Sequence, residues 1–580
     1  MKKSAIVKVM AVAVLLATLL GCDQQPTVDT TNGPTQQTTP DSGTASSPQE
    51  VYEYGYIAAV ADKQYTFPDD RPVFSLDNAF YDKPILVELK TAQEAEIYYT
   101  TDGSEPDENS ERYEDGIYIL PKASDFPKAI TISARAYYPD GTVSAVAIRS
   151  YFCTRGAQER FTTAVFVLTG DPDDLTKGPD GIFYGENYHA RGEESERPVY
   201  IEAIDKDGNR LFAQHAGVRI YGGASRANSI KSMKLYARKR YDPNHGKFKL
   251  DLFGTPAQDG STVEKYDKLV LRNCGNDFQF GFIRDELCQV LAAQAGFADY
   301  EAVVPAVAYL NGKYYGFFWL HESYCDDYFK EKYPNENAQG EFIIAEGNEQ
   351  HKSEEEDGGD EVYAAEYNAM YETYAYADLR NEETYAKLCG LVDIENYLDY
   401  CAFNIYINNN DWPQNNYKCY RYVPAKGEKA GTGVYDGRWR YLLHDTDFSL
   451  GMYDWEETAA SYNNIQQIMD PESSRYAPLF AALMRREDCR TYFVSKLETL
   501  SKTVFSRENV TRVLYTMHID RCTEQDYFYQ HMENLRKRGD HSFWANSTHL
   551  AQNMDAIRAF AAERGEYIMS YTRNAFSIFG

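Results

Sequence analysis

The sequence predicts an α+β protein, in which a small all-β, immunoglobulin-like sandwich precedes a much larger domain of two lobes. Three observations carry that prediction. Apolar and polar residues alternate between Asp-Gly turns over about residues 72–153. Strand-like runs then dominate from Thr163 to Leu320, and past Asp470 apolar residues recur at helical spacing. With 580 residues, and about 150 per domain as a usual measure, the chain is long enough for this arrangement.

Met1 to Cys22 reads as an export signal. Lys2, Lys3 and Lys8 form a positive start, and the apolar run Val9–Leu20 falls short of the ~20 residues that span a bilayer. The segment closes on Leu19-Leu20-Gly21-Cys22, which resembles the lipobox of bacterial lipoproteins, so residues 1–21 are expected to be removed and Cys22 lipidated. Residues 22–50 are rich in Thr, Gln, Pro, Ser and Gly and cannot bury enough surface to offset chain entropy. They are expected to be a flexible tether. Anchor, tether and folded domains together place the protein in a bacterial cell envelope, facing away from the cytoplasm and meeting the membrane only through its lipid.

The net charge of −29 makes phosphate backbones poor partners, which argues against nucleic-acid binding. Nine cysteines follow Cys22, an odd number with no CxxC pair and no accompanying histidine spacing, so neither a disulfide framework nor a zinc site is signalled. Cys288 and Cys401 sit in apolar runs and read as buried thiols. The acidic run Glu354–Glu361 reads as a solvated loop, with calcium binding the less favoured reading.

Residues 51–155 form the sandwich. Ile97–Thr101 runs into Asp102-Gly103, and Ile130, Ile132, Ala134 and Ala136 alternate with polar partners before Pro139-Asp140-Gly141. The stretch Tyr98–Pro106 resembles the C-terminal accessory domain of chitobiases and hexosaminidases, which implies a spacer beside a catalytic domain or a contact for cell-surface glycans. It holds no catalytic constellation.

Residues 156–580 form the large domain, and its chemistry concentrates in three places. Asn408–Asn416 contains Asp411 followed five residues later by Asn416, with Pro413 between. That spacing suits an Asp facing an attacking hydroxyl and an amide oxygen reaching a metal, although on this motif by itself an Asn-rich turn is the favoured reading. Trp439–Leu443 is an apolar strand leading to His444-Asp445-Thr446-Asp447, whose two carboxylates sit on one side of an extended backbone, ready for a hard cation. The string also suits a metal-dependent phosphohydrolase or an acidic strand end. In Gly222–Arg238, Met233, Leu235 and Ala237 mark the inward strand face, and Lys231 shares their parity. A lysine pointing inward needs an anion, such as a nucleotide phosphate. Lys234, on the other face, reads as solvated. The helix around Phe282–Leu291 offers Asp285 or Glu286 to pair with Lys231.

Taken in order, GGASR…KSMKLYAR, LVLRN…FIRDEL, YLNGKYYGFFWLHE, NNNDWPQNN and WRYLLHDTDFSLG resemble the spore-coat protein H (CotH) family of secretory kinases, over roughly residues 160–575. The resemblance implies a diverged protein-kinase-like domain that transfers phosphate from ATP to secreted or surface proteins with Mg²⁺ or Mn²⁺. It also implies roles. Lys231 would grip the ATP phosphates, with Arg226 helping to cover them and Glu286 as the lysine's partner. Asp411 would be the catalytic base, and Asn416, Asp445 and Asp447 the metal ligands. Tyr315–Glu322 would wall the adenine, Glu322 included. A glycine-rich nucleotide loop and an unambiguous Asp-Phe-Gly are missing from this pattern. The function expected is an atypical protein kinase, an ATP-dependent phosphotransferase acting on Ser/Thr hydroxyls of extracytoplasmic proteins. The alternative is a non-catalytic adhesion or glycan-binding lipoprotein built on the same scaffold.

Overall fold

The computed structural model describes residues 65–184, 186–348, 352–355, 361–540 and 542–579. The expected signal, Cys22 and the tether lie outside the described residues, as does most of the acidic run that follows Glu355.

Between Val73 and Cys153 the alternating pattern produces a five-stranded sheet centred on Ala129–Tyr137, which pairs antiparallel with Glu96–Thr100 and with Ala147–Cys153. Ile85–Val87 pairs with Ile117–Ile119, and Val73–Phe74 with Leu89–Lys90. Ile132, Ala134 and Ala136 meet Ile85, Val87, Ile119 and Tyr151 in one buried core. The sandwich packs directly on the larger domain. Phe80 and Phe152 stack with Phe161, Phe152 also meets Tyr309, and the Ala129 N–H donates to Gly312 O at 2.9 Å. Phenylalanines buried in this way contribute about 1.5–3 kcal/mol each, so the small domain is welded to the large one.

Seven strands then close into a barrel: β1 (Ala164–Thr169), β2 (Arg197–Ile204), β3 (Arg210–Ile220), β4 (Met233–Tyr236), β5 (Lys268–Arg272), β6 (Val303–Leu310) and β7 (Lys313–Glu322). Around the barrel the order is β1-β2-β3-β4-β5-β7-β6, with β6 returning parallel to β1. Closure leaves no open edge and fills the interior with side chains. Cross-strand rows Ile220–Met233–Leu271 and Val218–Leu235–Leu269 belong to the core. Lys234, opposite Arg219, stands on the other face of the same sheet.

Beyond the barrel lies an antiparallel sheet of β8 (Glu341–Asn348), β9 (Lys352–Glu355), β10 (Tyr417–Val423) and β11 (Arg440–Leu442), in the order β9-β8-β10-β11. Gly347 pairs with Tyr417 and Lys418 with Leu442, so three strand ends meet at one place. The longer helices are α1 (Arg284–Gln294), which follows β5 and a 3₁₀ turn, then α2 (Glu361–Ala375), α3 (Ile394–Ile407), α4 (Glu487–Lys502), α5 (Arg507–Lys537) and α6 (Ser547–Phe576). Several of the 49 tyrosines pack in the core. Tyr367 of α2 meets Tyr417 and Trp439, and Tyr397 and Tyr400 of α3 meet Tyr441. The nine cysteines after Cys22 are all free thiols, with Cys288 and Cys401 buried.

Candidate active site

A cavity of about 700 Å³ opens between the outer face of the barrel and the meeting strand ends. Its walls have opposite charge. Arg219, Arg226, Lys234 and Arg272 line it from the barrel, while Asp411, Asp445, Asp447 and Glu346 line it from the sheet side.

The Asp411 loop begins where α3 ends. Asn408 adopts the left-handed conformation that terminates the helix, with φ of 52°, and its amide donates to Glu457 O at 2.7 Å. Asn409 donates to Asn404 Oδ1 at 3.0 Å and accepts from the Asp411 N–H at 3.1 Å. The buried Arg475 guanidinium donates to Trp412 O at 2.9 Å and to Asn410 Oδ1 at 3.3 Å. Asparagine richness here is therefore structural and directional at once: each amide fixes a different part of one loop. The outcome is a carboxylate held by two amides. Asn415 Nδ2 donates to Asp411 Oδ1 at 3.2 Å and Asn416 Nδ2 to Oδ2 at 3.1 Å. Burial, with Asp445 nearby, raises the Asp411 proton affinity above that of an ordinary carboxylate, against the pull of those amides.

Asp445 and Asp447 follow β11 and approach the barrel's Arg272. The Arg272 Nη2 atom donates to Asp445 Oδ1 at 2.5 Å and to Asp447 Oδ2 at 2.9 Å. Asp447, fully buried, also accepts from the Asn276 N–H at 2.9 Å and Nδ2 at 3.1 Å. Thr446 between them donates through N–H and hydroxyl to Asp285 of α1, at 2.7 and 2.8 Å. Burial and the adjacent Asp445 push Asp447 well above the carboxylate range; Asp445, despite burial, is held low by Arg272 and His444. Gly275 makes the approach of Asp447 geometrically available, because a Cβ there would come within 2.2 Å of Asp447 Oδ2.

The structure thus brings Asp411, Asn416, Asp445, Asp447 and Arg226 to one cavity, and it sets three expected residues apart from it. Lys231 is buried, but its Nζ donates to Arg226 O at 2.7 Å and Asn228 O at 2.9 Å and lies 4.1 Å from the Tyr188 ring centroid. It braces the turn before β4, and burial lowers its pKa to about 8. Glu286 does not meet Lys231; it pairs with His321 at 3.1 Å and receives the Cys274 thiol. Glu322 is buried, accepting from the Ala302 N–H at 3.0 Å, and no part of Tyr315–Glu322 lines the cavity. Two reasons operate: a closed barrel packs its inward residues against one another, so the cleft lies on its outer face, and Glu286, on α1, is taken up by His321 and Arg272.

Arg226 does line the cavity, although its guanidinium is committed to the carbonyls of Gly222, Tyr188 and Ala190. It therefore shapes the Gly222-Gly223 turn. The residues that spacing does not anticipate are Lys234, expected in solvent but 3% exposed and facing the cavity, together with Arg272 and Asn276. The parity of β4 already puts Lys234 opposite the core face; the structure corrects only the assignment of that face to solvent.

Two family models match the chain: "CotH kinase protein" over residues 218–568 and "Fn3 associated" over residues 87–151. No curated protein matches it. The second match falls within the sandwich. The first spans more than half of the sequence, from within β3 through α6, and includes every residue of the cavity except those before its own start at Val218. The chain belongs to the CotH kinase family.

Proposed function

We propose that this protein is an atypical protein kinase of the bacterial cell envelope, anchored through Cys22, that transfers the γ-phosphate of ATP to Ser/Thr hydroxyls of extracytoplasmic proteins. The barrel and the sheet-and-helix half serve as the two kinase-like lobes. The observation that carries this reading is the polarity of the cavity. One wall supplies cations suited to a polyphosphate, and the facing wall supplies an Asp, an Asn and two further Asp on strand ends.

The donor set fits a divalent metal. Asn416, Asp445 and Asp447 offer hard oxygen ligands of the kind Mg²⁺ or Mn²⁺ prefers, and Asp447 is a buried carboxyl that a cation beside it would hold ionised. Those three residues would hold it, and the metal supplies charge neutralisation along the phosphates. The remaining work belongs to the chain. Asp411, fixed through both carboxylate oxygens, orients the acceptor hydroxyl and accepts its proton; its raised proton affinity favours that transfer. Lys234 faces the phosphate side from β4. Gly223 has nothing within 4 Å of the place a Cβ would occupy, so its backbone can approach a phosphate closely. Catalysis is then mainly positioning and charge compensation.

The test is phosphate incorporation from γ-labelled ATP with Mg²⁺ or Mn²⁺ into the protein itself and into envelope extracts, beside Asp411→Ala and Asp445→Ala. Labelling that both substitutions abolish supports the kinase. Absence of both labelling and nucleotide binding rules it out and favours the adhesive scaffold. ATP consumption without labelled protein identifies a phosphohydrolase.

A further inference from the structure

Arg272 is surrounded by four carboxylates. Its Nε lies 3.5 Å from Asp285 and 3.9 Å from Glu286 of α1, and its Nη2 contacts Asp445 and Asp447 at 2.5 and 2.9 Å. His321 pairs with Glu286 at 3.1 Å and reaches Glu301 at 3.5 Å. The local balance is strongly negative. One guanidinium faces four carboxyl groups, three of them buried, and a divalent cation would relieve the excess of acids that remains.

The contact geometry is equally informative. Arginine usually meets a carboxylate as a fork, two nitrogens to two oxygens. Here a single nitrogen, Nη2, is shared between oxygens of two different carboxylates, which is the place a bridging cation takes. Nε lies within ion-pair range of the α1 acids without a hydrogen bond to either, and Nη1 makes no hydrogen bond among the described residues although Arg272 lines the cavity.

We propose that Arg272 is a stand-in cation and a phosphate-binding residue: its Nη2 holds Asp445 and Asp447 until a divalent metal takes that position, and the released guanidinium, still tethered through Nε to Asp285 and Glu286, turns to a phosphate oxygen of the nucleotide. The phosphate half of this proposal rests on the kinase reading above. Arg272 would thereby do the work expected of Lys231, and it would link α1 to the metal carboxylates in one step.

The proposal makes the two ligands respond with opposite sign. Arg272→Gln removes a competitor and one positive charge from the metal site, so Mn²⁺ binding without nucleotide, read from the loss of the free-Mn²⁺ EPR signal, should tighten about tenfold, as a charge change at this distance does. Binding of the non-hydrolysable analogue AMP-PNP with Mn²⁺ should weaken at least tenfold. Arg272→Lys keeps the charge without the fork, so its Mn²⁺ affinity should stay near wild type while AMP-PNP binding still falls. Weaker Mn²⁺ binding by Arg272→Gln overturns the exchange. Weakening of both ligands in both variants, with a common fall in melting temperature, makes Arg272 purely structural and overturns the proposal whole. A wild-type protein that binds Mn²⁺ but no AMP-PNP defeats the kinase reading and the phosphate contact, while the sign of the Mn²⁺ change still decides the exchange.

Discussion

Arg564 of α6 is fully buried and lacks a carboxylate partner among its hydrogen bonds. Its guanidinium donates to Tyr406 O at 3.0 Å, Ile405 O at 2.9 Å, Ala460 O at 2.9 Å, Tyr462 O at 2.7 Å and Asn464 Oδ1 at 2.6 Å. Ile405 and Tyr406 belong to the last turn of α3; Ile405 O also accepts from the Asn408 N–H at 3.3 Å and from Asn464 Nδ2 at 2.9 Å, while Arg564 is the side chain that reaches Tyr406 O. The same turn delivers the chain into the Asp411 loop. Arg564→Met keeps much of the volume and removes every one of these bonds. Charge-assisted bonds of this kind are worth about 1.5–3 kcal/mol each, and a plain sum overshoots because burying the cation opposes it. Burial, chiefly, lowers the Arg564 pKa to about 9, the direction expected for a cation taken out of water. The net loss expected is about 3–5 kcal/mol, the usual result of stranding buried polar partners. With roughly 400 residues melting together at ~2.1 cal/mol/K each, that is a fall in melting temperature of about 3–6 °C. Thermal unfolding by tryptophan fluorescence reads it. Phosphate transfer measured well below the transition should fall at least tenfold, since a displacement of ~1 Å in a positioning loop is enough to do so. An unchanged melting temperature would show that the carbonyls do not depend on Arg564; a lowered one with full transfer would show that α6 does not position the loop.

Gly275 and Glu322 offer two independent tests. Gly275 has φ of 53° and a Cβ added there would clash with Asp447 Oδ2, so Gly275→Ala costs about 1–2 kcal/mol in the backbone and also pushes Asp447 from Asn276 and Arg272. Mn²⁺ affinity should drop at least tenfold, and retention of wild-type affinity would refute the fit. Glu322 is fully buried, and desolvation raises its pKa from 4.5 to about 7, so folding favours its protonated form and stability is lost as pH rises from about 4.5 through 7. The loss is on the order of 3 kcal/mol at the alkaline end, before any rearrangement. Glu322→Gln keeps an oxygen for the Ala302 N–H, so its melting temperature should exceed wild type at pH 8 and converge with it at pH 5; a difference that does not vary with pH would refute the assignment.

Much of this protein is legible from the sequence because its signals are local. The run Val303–Leu310 coincides with a barrel strand, and Tyr314–Leu320 lies within the next. Asp411 and Asn416 lie five residues apart in one loop, and Asp445 and Asp447 two apart just past β11, where Asp445 has φ of 50° instead of the extended backbone expected, so short spacing nominates them although the backbone differs. The sandwich core is likewise visible as an alternation of period two. Its junction with the barrel is not, since the Phe80–Phe152–Phe161 contact joins segments that no spacing rule relates.

The remainder was decided by tertiary structure. Parity along β4 separates Met233 and Leu235 from Lys234, but parity names no inside until the sheet closes, and closure depends on β6 pairing with β1 across more than a hundred residues. Once the barrel is shut, its interior belongs to the core, Lys231 is tied to its own turn, and the cationic wall of the cleft falls to Lys234 and Arg272. Sequence alone nominated the carboxyl groups that the structure gathers beside the strand ends. Only the closed fold determined which cations face them, because a face becomes a surface or a core by what packs against it.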